Sequence, residues 1–99
     1  MTEQAETMEK PVIPEGEEYE PLKKAYKSLQ GVRNVVREAV EIHYLGYYKK
    51  LHYYLLKTVD VTTGGKIAWL FRIAPNGFLK TMVPIPYGFW EKLVKTVNS

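Results

Sequence analysis

The stretch Leu51–Ile85, LHYYLLKTVDVTTGGKIAWLFRIAPNGFLKTMVPI, decides the fold that this 99-residue chain can adopt. Residues 51–59 and 66–74 are two apolar runs rich in β-branched and aromatic residues, which are typical of strands. Gly64-Gly65 lies between the runs and is a turn signal. The central part of the stretch therefore predicts two neighbouring strands joined by a short loop.

A hairpin signal follows the second run. In Pro75-Asn76-Gly77, the Asn-Gly pair accepts the positive φ angles that tight turns require. A further strand is predicted over Phe78–Ile85. Because Pro84 has no N–H to donate to a ladder of hydrogen bonds, this strand is expected at an edge of the sheet.

A helix is predicted upstream of the strands. Glu20 suits the positive end of a helix dipole, and Pro21 suits the first turn, where a missing N–H costs nothing. Apolar residues then recur at helical spacing, with basic residues on the other face. We predict a helix over residues 20–31, with residue 37 as the alternative end. Gly31 lowers helix stability by about 1 kcal/mol relative to alanine and is a candidate for the end of the helix.

Residues 36–55 are compatible with two structures. Val40, Ile42 and Tyr44 alternate with more polar positions, and this period of two indicates a strand. A helix that buries every third or fourth residue also fits the same segment. We favour strands, because tyrosine and β-branched residues dominate and Gly46 interrupts the helical pattern.

The chain closes with a second amphipathic pattern, in which the apolar residues of one helical stripe are Phe89, Trp90, Leu93, Val94 and Val97. The predicted fold class is α+β: an N-terminal helix, a four-stranded antiparallel sheet and a C-terminal amphipathic helix. One short helix leaves one face of such a sheet open, so we expect a homodimer. The expected dimer or core residues are Phe89, Trp90, Leu93 and Val97.

Charge is divided unevenly along the chain. Residues 1–20 hold seven acids and one base, whereas residues 21–99 hold thirteen bases and four acids. The acidic part has few bulky apolar residues to offset the entropy lost on ordering. We therefore predict a disordered acidic tail over residues 1–18 and a single α+β nucleic-acid-binding domain over residues 19–99. Such a tail either only keeps the chain soluble, or competes with nucleic acid for the basic domain or binds a basic protein partner.

The composition excludes several function classes. The chain has no cysteine, which removes disulfides, thiolate catalysis and cysteine-bound zinc. Its two histidines, His43 and His52, have no triad or metal-ligand spacing, and no phosphate-binding glycine loop is present. We expect no enzymatic activity, no metal and no cofactor. Because no apolar run is long enough to span a membrane and no signal peptide is seen, the expected location is the cytoplasm, in association with the nucleoid.

Bases and aromatic residues interleave along the predicted strands. Single-stranded nucleic acid requires both types, because cations neutralise phosphates and flat rings stack on exposed bases. We therefore predict binding of single-stranded nucleic acid, DNA in preference to RNA, with little sequence preference. The expected phosphate contacts are Lys49, Lys50, Lys57, Lys66, Arg72 and Lys80, and the expected stacking residues are Tyr47, Tyr53 and Phe78.

The period of two also assigns faces. In residues 66–74, Trp69 and Phe71 are assigned to the core, and Lys66 and Arg72 to an open face. In the fourth strand, Phe78 and Lys80 are predicted to share one face. The opposite face of that strand is predicted to carry Leu79, Thr81 and Val83.

Residues 65–99 resemble the positive cofactor four family of transcriptional coactivators. The resemblance is carried by Gly65-Lys66-Ile67, by Arg72, by Gly77-Phe78-Leu79-Lys80, and by Val83-Pro84-Ile85-Pro86 followed by Phe89 or Trp90 and Leu93. It implies a four-stranded sheet followed by a dimerising helix, and binding of single-stranded or melted DNA through Lys66 and Lys80. Two aromatic positions of the family are occupied here by Val61-Thr62-Thr63 and by Pro75, so stacking would fall to other tyrosines.

Two other functions are compatible with the sequence. A regulator of double-stranded DNA would place the basic helix 20–37 in a major groove. A protein-interaction module would use the tyrosine-rich surface to bind a polypeptide.

Overall fold

The computed structural model describes residues 13–60, 62–86, 88–89 and 92. In this part of the chain, a short 3-10 turn at Glu17–Tyr19 leads into helices α1 (Glu20–Ser28) and α2 (Gln30–Glu38). Four strands follow, β1 (Ala39–Tyr48), β2 (Leu51–Val59), β3 (Lys66–Ile73) and β4 (Leu79–Ile85). They form one antiparallel sheet in the order β1-β2-β3-β4. The predicted α+β class and four-stranded antiparallel sheet are confirmed, and β4 lies at an edge as Pro84 indicated.

The single N-terminal helix of the prediction is two helices. Leu29 adopts an extended conformation, with φ −124° and ψ 122°, and separates α1 from α2. The Nη1 atom of Arg33 donates hydrogen bonds of 2.9 Å to the carbonyl oxygens of Tyr26 and Lys27, which satisfies the open end of α1. Gly31 lies in the first turn of α2, so its assignment as a helix end is wrong. An arginine side chain thus binds the last carbonyls of α1, and no propensity scale detects that contact.

The ambiguous segment 36–55 is resolved mainly in favour of strands. Residues 39–48 and 51–55 are extended and paired, and only residues 36–38 belong to a helix. Tyr48 and Leu51 are partners at the end of the β1–β2 ladder, so the connection between the strands has two residues. At Gly46 the strand itself is irregular, because the register of the β1–β2 ladder shifts between Tyr44 and Gly46.

One face of the sheet packs against the two helices. Its fully buried members are Tyr54, Leu56, Phe71 and Ile73, which contact Leu22, Val32 and Val36 of the helices. The predicted alternation in β3 is confirmed for Phe71, and Trp69 packs half-buried against the same cluster. Ile67 lies on this face too but is 43% exposed, because it stands near the start of the strand. This helix-covered side is called the first face.

The opposite side, called the second face, has a smaller apolar cluster of its own. Leu55 and Ala68 are fully buried there, and Leu45, Leu70 and Ile85 pack against them. The sequence prediction treated this side as an open basic face. The observed pattern differs, because apolar residues occupy the middle of the second face and charged residues lie towards its two ends.

The predicted faces of β4 are wrong in part. Phe78 precedes the strand, and Leu79 packs against the first-face cluster. Thr81 and Val83 pair with Arg72 and Leu70, which belong to the second face. The register shifts between Arg72 and Ile73, opposite the exposed residue Lys80, so alternation does not continue unbroken through the strand.

The hairpin predicted at Pro75-Asn76-Gly77 is confirmed. Gly77 has a φ of +94°, which side-chain-bearing residues rarely adopt. A Cβ atom at this position would also approach the Cβ of Lys24 to 2.6 Å. The turn therefore lies directly against α1, and glycine is required by both its conformation and the space available.

The predicted acidic tail is ordered at its carboxyl end. Ile13 packs against the first-face cluster, and the Tyr54 hydroxyl donates a 2.6 Å hydrogen bond to the carbonyl oxygen of Glu18. The prediction of disorder is therefore wrong for residues 13–18, because Ile13 at one end of this segment and Glu18 at the other both contact the folded domain. Residues 1–12 lie outside the described residues.

The predicted C-terminal helix falls largely outside the described residues, as do Trp90, Leu93 and Val97. Phe89 is described, and it is 47% exposed, so it is not part of the core. Its backbone N–H donates a 3.0 Å hydrogen bond to the carbonyl oxygen of Pro86. In the described part of the chain, no helix has the length and apolar character needed to cross a membrane.

Candidate nucleic-acid interface

The β1–β2 hairpin ends in a strained tip made of two lysines. Lys49 and Lys50 have φ angles of 52° and 68°, so both are left-handed. Two-residue hairpin turns with positive φ at both positions favour Asn-Gly, because a Cβ atom makes this conformation costly. Both lysines are exposed. The hairpin therefore keeps two positive charges at a position where other residues would fit the backbone better.

Two tyrosines stand beside this tip on the second face. Tyr48 is 61% exposed and Tyr53 is half-buried, with ring centroids 6.3 Å apart at an interplanar angle of 65°. The pair arises from the register, because Tyr53 lies opposite Gly46, two residues before Tyr48 on the same face. The Nζ atom of Lys49 lies 5.4 Å from the centroid of the Tyr48 ring. A cation and two rings are therefore adjacent at the surface.

Gly46 leaves space next to these rings. Its φ is +139°, and a Cβ atom built there would meet nothing within 4 Å. The surrounding recess has a volume of about 290 Å³ and is lined by Leu45, Gly46, Tyr47, Tyr48 and Tyr53. The register shift at Gly46 thus opens a shallow, aromatic-lined recess at the hairpin end of the sheet.

Arg72 continues the arrangement onto β3. It pairs across the strands with Tyr53, and its Nε and Nη2 atoms donate hydrogen bonds of 2.9 and 2.7 Å to the Thr81 hydroxyl. These two bonds fix the guanidinium on the second face beside the Tyr53 strand. The hairpin strip, as this surface is called below, consists of Tyr48, Lys49, Lys50, Tyr53 and Arg72.

The electrostatics of the hairpin strip are positive. Glu41 is the only acid in β1 and β2. It lies seven residues before Tyr48 on an extended strand, a separation of roughly 23 Å. No acidic side chain of these two strands therefore neutralises the strip.

The other five predicted residues lie elsewhere. Lys57 and Lys66 belong to the opposite end of the second face, where the Lys57 ammonium lies 3.3 Å from the Glu41 carboxylate. The hydrogen bond from His43, followed by the contact with Lys57, lowers the pKa of Glu41. Lys57 is thus part of an ion pair within the chain, about half the length of the sheet from the strip.

Phe78 and Lys80 form a separate surface near the β3–β4 turn. Phe78 is 64% exposed and borders a recess of about 520 Å³ that also includes Leu29 at the break between the helices. Tyr47, also a predicted stacking residue, is exposed but turns to the first face, where its ring centroid lies 4.6 Å from that of His52. The structure therefore brings together Lys49, Lys50, Tyr53 and Arg72 and separates the other five residues from them.

Tyr48 is the residue of the strip that the sequence prediction left out of the site. The feature that could have identified Tyr48 is the two-residue turn that follows it, because this turn places Tyr48 on the same face as Tyr53. Without the turn position, the phase of the alternation between Tyr47 and Tyr48 could not be assigned.

Tyr19, Tyr44 and Tyr54 form a group on the first face, in which Tyr19 and Tyr54 are buried and Tyr44 is half-buried. The Tyr19 hydroxyl accepts a hydrogen bond from the Tyr44 backbone N–H at 3.1 Å, and the Tyr54 ring lies 5.9 Å from that of Tyr19. Burial raises the pKa of all three hydroxyls, Tyr54 most of all. These rings pack against one another and support the fold.

The two histidines lie on different faces. His43 contacts the Glu41 carboxylate at 3.1 Å, whereas His52 shares a 2.9 Å hydrogen bond with the Tyr44 hydroxyl. Burial lowers the pKa of His52. Within residues 13–60, 62–86, 88–89 and 92, no three histidine or acidic side chains are arranged to hold a metal ion.

The basic helix face has internal partners as well. The Lys23 ammonium lies 3.6 Å from Glu15 and 3.8 Å from Glu20, and Arg33 binds the backbone of α1. The segment 20–37 is not one continuous helix, so it cannot enter a major groove as the single basic helix that the sequence suggested.

Comparison of the chain with protein-family models, with curated proteins and with solved structures finds no match.

Proposed function

We propose that the protein binds single-stranded nucleic acid, DNA in preference to RNA, with little sequence preference, through the hairpin strip. The observation that carries the proposal is the exposed Tyr48–Tyr53 ring pair with Lys49 5.4 Å from one ring and Arg72 paired across from the other. Rings flanked by cations are the combination that unpaired, negatively charged strands require.

Each residue of the strip has a chemical role in this proposal. Tyr48 and Tyr53 stack on successive bases, which is worth about 1–3 kcal/mol per base and depends little on base identity. Lys49 and Lys50 neutralise phosphates at the hairpin tip. Arg72 keeps guanidinium N–H donors beyond the two that bind Thr81 and offers them to a further phosphate.

Binding through three cations predicts a moderate salt dependence. For single strands, the slope of log affinity against log salt is about −0.7 for each phosphate neutralised. Three contacts therefore predict a slope near −2, or roughly a 20-fold loss of affinity between about 50 and 200 mM salt.

The test is a titration with oligo-dT, followed by tyrosine and tryptophan fluorescence at these two salt concentrations. Tyr48→Ala and Tyr53→Ala should each weaken binding about 5- to 150-fold, the equivalent of one lost stack. Lys49→Ala should lower the salt slope by about 0.7.

The separate surface at the β3–β4 turn supplies matched controls. Phe78→Ala and Lys80→Ala remove an equally exposed ring and a cation outside the strip, and we expect little change in affinity. If these two variants weaken binding as much as Tyr48→Ala and Lys49→Ala, the location is wrong. If the wild-type protein does not bind oligo-dT even at low salt, the proposed function is wrong.

The same titration separates the two alternative functions. A regulator of double-stranded DNA would prefer duplex over an equal mass of oligo-dT. A protein-interaction module that uses the exposed tyrosines would bind neither nucleic acid. A role in transcription, a location at the nucleoid in the cytoplasm and a homodimer belong to the same proposal, and the resemblance of residues 65–99 to the positive cofactor four family supports them.

The acidic tail supplies a further test of the proposal. Glu3, Glu6 and Glu9 lie upstream of the ordered residue Ile13, and they can compete with phosphates for the strip or bind a basic protein partner. Deletion of residues 1–12 should tighten binding of oligo-dT at low salt, whereas replacing the three acids by glutamine should have the same effect without shortening the chain. Unchanged affinity in both variants would contradict the competition.

A further inference from the structure

The register shift in β1 places two consecutive residues on the second face. Gly46 pairs with Tyr53 of β2, and Leu45 is the extra residue at the shift. Leu45 packs against the apolar cluster of the second face, and Gly46 shares that face with its partner Tyr53. Tyr48 follows two residues later on the same side. Along β1, the second face therefore carries a leucine, a glycine and a tyrosine in succession.

The glycine leaves a gap between its two larger neighbours. A Cβ atom built at Gly46 would meet nothing within 4 Å. Leu45 therefore borders the gap on one side and Tyr48 on the other, with Tyr53 across on β2. This gap is the recess of about 290 Å³ described above, and it is called the Gly46 recess below. Sites for small molecules measure about 300–1,000 Å³, so the recess has the size for one flat ring and not for a larger ligand.

The lining of the Gly46 recess determines what it can distinguish. It carries no charged side chain, and its polar side-chain atoms are tyrosine hydroxyls. Such a lining lacks the bidentate groups, for example those of Arg or Asn, that identify a base by its hydrogen-bond pattern. It can distinguish bases by shape and by apolar contact. Thymine offers such a contact, because its methyl group is recognised by apolar side chains.

We propose that the Gly46 recess takes one thymine, with the ring stacked on Tyr53 and the methyl group against Leu45. This inference rests on the proposed binding of single-stranded nucleic acid, and it names the base that the hairpin strip prefers at one position. It also gives the preference for DNA over RNA a physical basis, because uracil lacks the methyl group. Burial of one methyl-sized group changes an affinity about four-fold, so the selection is modest and compatible with little sequence preference overall.

The test is a pair of titrations with oligo-dT and oligo-dU of equal length, which differ only in the methyl groups. Wild-type protein should bind oligo-dT at least about four-fold more tightly. Leu45→Ala removes the surface on which the methyl group packs, and it should lower the ratio of the two affinities by about the same factor. Leu70→Ala is the matched control, because Leu70 is another half-buried leucine of the second-face cluster but lies outside the recess, and it should keep the wild-type ratio.

Two further measurements locate the methyl group and separate it from the sugar. In the complex with oligo-dT, a nuclear Overhauser effect is expected between the thymine methyl protons and the methyl protons of Leu45, and not those of Leu70. An oligomer of ribothymidine restores the methyl group on an RNA backbone. It should bind about four-fold more tightly than oligo-rU.

The outcomes separate this inference from the proposed function. Equal binding of oligo-dT and oligo-dU by the wild-type protein would overturn the thymine site and leave the binding of single strands intact. An unchanged ratio in Leu45→Ala, an equal fall of the ratio in Leu70→Ala, or the absence of the Overhauser effect at Leu45 would overturn it as well. Binding of neither oligonucleotide would overturn both the thymine site and the proposed function.

Discussion

The tyrosines of β1 and β2 form two groups that differ in their surroundings and not in their sequence context. Tyr54 is fully buried beneath the helices, and its hydroxyl donates to the Glu18 carbonyl oxygen. Tyr53, the preceding residue, stands on the second face next to the exposed Tyr48. Adjacent positions on one strand thus supply a ring for the core and a ring for the surface. Strand phase, and not residue type, therefore decides which of these two neighbouring rings is buried.

The largest expected effect concerns the stability of the two groups. Tyr54→Ala should lower the free energy of unfolding by about 3–5 kcal/mol, because it removes a fully buried aromatic ring. Tyr48→Ala should change it by less than about 0.5 kcal/mol, as is usual for surface positions. Urea unfolding followed by circular dichroism measures both values. Equal losses in the two variants would contradict the assignment of Tyr54 to the core and of Tyr48 to the surface.

The next effect isolates the hydroxyl group. Tyr54→Phe leaves the Glu18 carbonyl without its 2.6 Å donor and should lower the free energy of unfolding by about 1 kcal/mol. Tyr48→Phe should leave stability and, because the ring is kept, affinity for oligo-dT nearly unchanged. A loss of affinity in Tyr48→Phe would mean that a hydroxyl contact, and not stacking, holds the ligand.

The hairpin tip should respond in opposite directions in stability and in binding. Replacing Lys49-Lys50 by Asn-Gly relieves two left-handed lysines and should raise the free energy of unfolding by about 1 kcal/mol. The same change should weaken binding of oligo-dT. Gln-Gln at the same positions is the matched control, since it removes the charges, retains the strained backbone and should lower affinity without the gain in stability. Stability and affinity that rise together would contradict a role for the lysines.

The smallest effect is a dependence of stability on alkaline pH. Burial raises the pKa of Tyr54, and of Tyr19 and Tyr44 to a lesser degree, above the ordinary value of 10. The unfolded chain therefore loses tyrosine protons first, so this part of the stability is complete below pH 10 and declines as the pH rises further. Urea unfolding between about pH 9 and 11 should give a steeper decline for the wild-type protein than for Tyr54→Phe. Identical slopes would show that Tyr54 ionises as easily in the folded protein as in the unfolded one.

The antiparallel sheet, the edge position of β4 and the β3–β4 turn were predictable from sequence, because each follows from local rules. Gly77 supplies the positive φ of the β3–β4 turn, and Pro84 restricts β4 to an edge. The faces of β3 followed from simple alternation. Only the identity and period of nearby residues were needed for these features.

The sequence predicted which residues carry the chemistry of the site, but not how the strands group them. Lys49, Lys50, Tyr53 and Arg72 were identified from their chemistry, but the ring pair depends on the register shift at Gly46, which places Tyr48 on the face of Tyr53. A shift moves the following residues to the other face, and the alternation of residue types alone does not fix its position. The break at Leu29 was not predicted either, because the Arg33 side chain that binds the Tyr26 and Lys27 carbonyls lies six and seven residues further along the chain.

The two edges of the sheet have a consequence for self-association. Register shifts interrupt β1 in two places, and β4 combines a shift opposite Lys80 with Pro84, which offers no N–H. A long, regular edge is a template on which a second sheet can add by backbone pairing, with the risk of aggregation. Neither border strand offers such a template, so the concentrated, tyrosine-rich chain should resist growth into fibrils.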